Sequence, residues 1–71
     1  MLLDDFKKLN LQSGQKIKVK YHPSWSKKEI SKKWEVRESK ETVLAPTKKE
    51  LCLYNVEGGF LPVSSIKEIT V

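Results

Sequence analysis

Apolar and polar residues alternate strictly over "QKIKVKY". Ile17, Val19 and Tyr21 fall on one side, with Lys16, Lys18 and Lys20 on the other. A period of two predicts a half-buried strand with a lysine ladder on its wet face. His22-Pro23 ends it, because proline lacks the amide hydrogen a sheet needs and restricts the residue before it. Upstream, Leu2, Leu3, Phe6 and Leu9 recur at helical spacing. Asp4 and Asp5 stand near the start and Lys7 and Lys8 near the end, the order a helix dipole favours. Residues 2–9 therefore predict a two-turn amphipathic helix, with Asn10 as its C-terminal cap residue. So short a helix persists only if its apolar stripe docks. It either plugs one end of a barrel or presents a partner-binding surface.

Beyond Pro23 the pattern loosens. Ser26 with Glu29 three residues on fits a capping box, so residues 27–33 are either a turn or two of helix or a mobile loop. "WEVRE" and "TVLAP" read as two strands joined by a tight "SKE" connection, the second ended by Pro46. "TKKE" reads as a polar turn and "LCLYNV" as a strand without clean alternation. "EGG" is a turn in which Gly58 or Gly59 supplies positive φ. "FLPV" is a short strand, "SSI" a one-turn helix or bend, and "KEITV" a closing strand. The expectation is a mainly β fold: a small barrel of five or six short strands with a short N-terminal amphipathic α-helix. One domain covers residues 1–71, with the helix at 2–9, the barrel at 13–71 and a basic loop at 22–33.

Composition narrows this. Seventy-one residues allow one modest core. The single Cys52 excludes an internal disulfide. With one cysteine and one histidine, a zinc site of four Cys/His ligands is excluded as well. Cys52, between Leu51 and Leu53, reads as a strand residue and not a nucleophile. Acids directly after the first two leucines do not suit a signal peptide, and no apolar run is long enough to span a bilayer. The expected location is cytoplasmic, with no membrane, metal or cofactor.

The net charge of +5 is unevenly placed. Lys16, Lys18, Lys20, Lys27, Lys28, Lys32 and Lys33 face only Glu29 within residues 16–33, while the rest of the chain holds seven basic and eight acidic side chains. The whole excess lies in one segment.

The stretch "GGFLPVSSIKEI" (Gly58 to Ile69) resembles the end of Src-homology-3-like barrels. In those, a glycine and an aromatic lead a short strand, then a proline, a one-turn helix and a closing hydrophobic strand. "SGQKIKVKY" is similar to their earlier Gly-x-x-ϕ-x-ϕ strand, and Trp34 opens the strand after a long loop. The likeness covers residues 13–71 in arrangement and implies the fold. Signalling members begin with an Ala-Leu-Tyr-x-Tyr-type strand and an acidic loop that bind proline-rich peptides. This chain has a helix and a lysine-rich loop instead, so no peptide-binding residue carries over.

Catalysis has little to stand on. The one histidine precedes Pro23 without a triad context, the Asp4-Asp5 pair is explained by the helix start, and no phosphate-cradling glycine loop occurs. The basic segment is the candidate site. Alternate strand residues lie about 6.7 Å apart, so Lys16, Lys18 and Lys20 can track a nucleic-acid backbone. Lys27, Lys28, Lys32 and Lys33 add a second cluster. Trp25 offers a stacking plane for an unpaired base or sugar, or else folds back as a lid over the barrel. Lysines are point charges, and Arg37 is the only arginine, so any nucleic-acid binding is expected to ignore sequence. Two readings of function follow. One is a non-catalytic module that holds DNA or RNA nonspecifically through the face 16–33. The other is a protein-interaction module, an adaptor or small inhibitor of the kind common among phage and mobile-element products, whose acidic partner is held by Trp25, Tyr21 or the helix. Outward lysines that only protect an edge strand and keep the protein soluble are the structural counterpart of both.

Overall fold

The computed structural model describes residues 1–23 and 25–71, with Ala45 by its backbone alone. Its order is α1 (Leu3–Lys8), β1 (Lys16–Tyr21), β2 (Ile30–Ala45), β3 (Lys48–Asn55), β4 (Phe60–Pro62), a 3-10 turn η1 (Val63–Ser65) and β5 (Ile66–Thr70). The fold is mainly β: a five-stranded antiparallel sheet in the order β4-β3-β2-β1-β5, with one short helix.

β2 departs most from expectation. "WEVRE" and "TVLAP" are not two strands but parts of one strand of 16 residues. Ser39-Lys40-Glu41 contains no glycine, proline or asparagine to turn the chain, and it pairs residue for residue with Leu53, Cys52 and Leu51. β2 is interrupted only by register shifts at Val36/Glu38 and Val43/Ala45, irregularities of the kind that bend a strand without ending it. The first part of β2 thus pairs with β1 and the rest with β3. The turn expected at "TKKE" shrinks to Pro46 and Thr47, and Lys48–Glu50 join β3.

Phe6, Ile17, Val19, Trp34, Val36, Leu53, Val63, Ile66 and Ile69 form the core. α1 contributes Phe6 to it and Leu9 packs half-buried against it, while Leu2 and Leu3 stay exposed, so only half of the apolar stripe docks. Leu9 and then Asn10, at φ 48°, end the helix as a left-handed residue does. "LCLYNV" shows no alternation because both its faces are covered. Leu53 points into the core, opposite Ser39 and Leu61. Cys52 lies on the other face between Lys40 and Pro62, and burial pushes its thiol up. Above that face Tyr54 and Phe60 stack with centroids 5.3 Å apart, and the Lys40 ammonium lies 4.9 Å from the Tyr54 ring centroid. At the β3–β4 turn Gly58 and Gly59 both take positive φ, and the buried Asn55 accepts the Glu57 amide hydrogen through Oδ1 at 3.3 Å.

Candidate nucleic-acid interface

β1 and β2 place the basic residues in two rows. Lys16 lies opposite Glu35, Lys18 opposite Lys33, and Lys20 opposite Ser31. These pairs alternate with Ile17–Trp34, Val19–Lys32 and Tyr21–Ile30, so the first set shares the outer face and the second the inner one. Lys18 and Lys33 are like charges directly opposite each other, a placement that lowers sheet stability. They line a groove of about 600 Å³ together with Lys16, Ile17, Trp34, Glu35, Asn55 and Glu57. Among the described residues, none of Lys16, Lys18 and Lys33 makes an ion pair. Three cations therefore converge on one groove without a carboxylate within pairing distance.

Lys33 reaches this site because β2 begins earlier than the sequence suggests. Residues 30–33 are strand, not loop or helix, and the basic loop is correspondingly 22–29. Ser24 of that loop lies outside the described residues. Ser26 caps no helix: its hydroxyl accepts the Lys28 amide hydrogen at 3.1 Å, and its own N–H donates to the Pro23 carbonyl at 3.2 Å, so the segment is a turn. Trp25 is 80% exposed, with Lys27 and Lys28 exposed beside it in the chain, so it is not a lid. Tyr21 is half-buried against the core, and Lys32 projects from the inner face with its ammonium 5.7 Å from the Trp34 ring centroid. The nine candidate residues thus fall into a groove set (Lys16, Lys18, Lys33), a loop set (Trp25, Lys27, Lys28), and Lys20, Tyr21 and Lys32 apart from both.

Lys20 is the one lysine of residues 16–33 that is paired among the described residues. Glu29 turns back from the loop to meet Lys20 at 3.7 Å and Lys67 of β5 at 3.3 Å. The hydrogen bond from Lys67 holds the Glu29 carboxyl below the ordinary glutamate range, helped by the charge of Lys20. Lys67 carries no sign of this role in the sequence, where it is one of two charged residues in "KEI". Compared with protein-family models, with curated proteins and with solved structures, the chain finds no match.

Proposed function

We propose that the protein is a non-catalytic binding module that holds DNA or RNA, whatever its sequence, on the lysine-rich face of β1, β2 and the loop between them. The observation that carries this reading is the convergence of Lys16, Lys18 and Lys33 on one groove, which Glu35 and Glu57 also line, with no ion pair to any of the three among the described residues, although the Lys18–Lys33 placement costs stability. Lys16 and Lys18 stand about 6.7 Å apart along the strand, a spacing suited to successive phosphates of an extended chain. Trp25 supplies an open plane on which a base or sugar can stack. The strand order and the 3-10 turn before β5 also support the expectation that the sheet curls into a Src-homology-3-like barrel, a fold that leaves function to its surface. No metal or cofactor enters this reading, and it places the protein in the cytoplasm.

The exposure of Trp25, Leu2 and Leu3 favours one other reading, an acidic protein partner gripped by the same lysines and these apolar anchors. Tryptophan emission separates the two. Trp34 is 5% exposed but lines the groove, so a change on adding an oligonucleotide at low salt is assigned to Trp25 by its loss in Trp25→Phe. We expect a clear change with single-stranded oligonucleotide that disappears in Trp25→Phe, while binding followed by a label on the oligonucleotide persists. No change in emission and no label signal at low salt, where electrostatics are strongest, would turn the case to a protein partner.

A further inference from the structure

A register shift in β5 has a consequence for this surface. Between the pairs Lys20–Glu68 and Tyr21–Ile66, β1 advances one residue and β5 two, so Lys67 is the extra residue of a bulge. A bulge re-aims the side chain it carries. Here it directs the Lys67 ammonium to the carboxylate that Lys20 also meets, at the junction of β1, β5 and the basic loop. An anion held between two ammoniums is what a phosphate group finds on such a surface. Resting on the nucleic-acid reading, we infer that Lys20 and Lys67 form a further phosphate-binding site, which Glu29 fills in the free protein and a backbone phosphate takes over when the strand binds.

Geometry supports this in two ways. Lys20 follows Lys18 on the same face of β1, so the site continues the groove row toward the loop that carries Trp25. It closes the gap between the two sets of candidate residues. Glu29 is the last residue before β2 and is exposed, so it can swing away without disturbing the core. Glu68, across from Lys20, lines a small cleft with Lys18 and Lys20 but makes no ion pair among the described residues, so Glu29 is the carboxylate that the two ammoniums hold.

The test compares Glu29→Gln with Glu41→Gln, an equal loss of charge from the part of β2 that pairs with β3. Single-stranded oligonucleotide is the probe, at one fixed low salt concentration, with circular dichroism confirming that each variant is folded. Two exposed ion pairs that need not be broken make Glu29→Gln bind about two- to thirtyfold more tightly than wild type. Glu41→Gln gains less, because only general charge changes. In a Lys67→Gln background the gain from Glu29→Gln shrinks, since half the site is gone. Equal gains from Glu29→Gln and Glu41→Gln, or a gain undiminished by Lys67→Gln, would overturn the inference and leave the groove reading in place. Absence of binding by wild type and every variant would overturn both.

Discussion

Lys18→Glu is expected to weaken nucleic-acid binding and, in the same protein, to raise the melting temperature. The two effects have one origin. Lys18 faces Lys33 directly across the β1–β2 ladder, and neither has a carboxylate partner among the described residues. Glutamate turns a repulsive pair into an attractive one, worth about 0.2–1 kcal/mol. For a domain of this size that is a rise of roughly 1–8 °C. The same change removes one phosphate contact and adds a repelling charge, so affinity for a single strand falls on the order of tenfold at about 0.1 M salt. Thermal melts followed by circular dichroism and an oligonucleotide titration read the two effects separately. Edge protection, expected from the sequence, does not apply, because β1 is paired on both sides by β2 and β5. A lysine kept only for folding or solubility would lower both quantities or leave binding unchanged. Opposite signs mark a residue whose placement serves binding at the expense of stability.

Trp34→Ala is expected to unfold the domain or nearly so, and Trp34→Phe to spare it. Trp34 is buried near one end of the β1–β2 ladder, opposite Ile17, and the Lys32 ammonium lies over its ring. Truncating a core tryptophan to alanine costs about 3–5 kcal/mol. A chain of this length has roughly 4–10 kcal/mol in total, so the alanine variant loses a large share of it. Phenylalanine keeps most of the contact surface. It also removes the indole N–H, which is buried without a hydrogen-bond partner among the described residues. Leaving such a group unpaired costs about 1–3 kcal/mol, so its removal offsets part of the lost volume. Urea melts should place Trp34→Phe well above Trp34→Ala. Equal losses would mean that the indole nitrogen is bonded in solution, and a stable alanine variant would remove Trp34 from the core.

Which parts of the molecule were legible in the sequence follows from how local their causes are. β1, the Gly58-Gly59 turn, η1 and β5 could be read because alternation, positive φ and proline act within a few residues. β2 could not, because its continuity depends on β3 pairing across Ser39–Glu41, a contact no local pattern records. The same cause hid half of the candidate site. Ile30–Lys33 look like loop or helix in "SKKEISKK", and only pairing with Lys18–Tyr21 makes them strand and brings Lys33 beside Lys18. The basic character of the surface was visible as composition, yet its division was not. Lys32 and Lys33 are adjacent and equally charged, and strand geometry sends them to opposite faces. Lys67 was hidden for a third reason: a bulge is a property of two strands in register, and one strand's residues do not announce it.

The central claim is that unneutralised lysines on β1 and β2 hold a nucleic-acid backbone, and the salt dependence of binding tests it most directly. Anisotropy of a labelled single-stranded oligonucleotide, followed across a range of sodium chloride, should give a straight line of log K against log salt. Its slope is expected between about −2, for Lys16, Lys18 and Lys33 alone, and about −5, for all seven lysines of residues 16–33. Replacing Lys16, Lys18 and Lys33 by glutamine, which places no like charges opposite each other, should abolish binding in a domain that still folds. Binding that is absent at low salt, insensitive to salt, or unaffected by those three replacements would contradict the account.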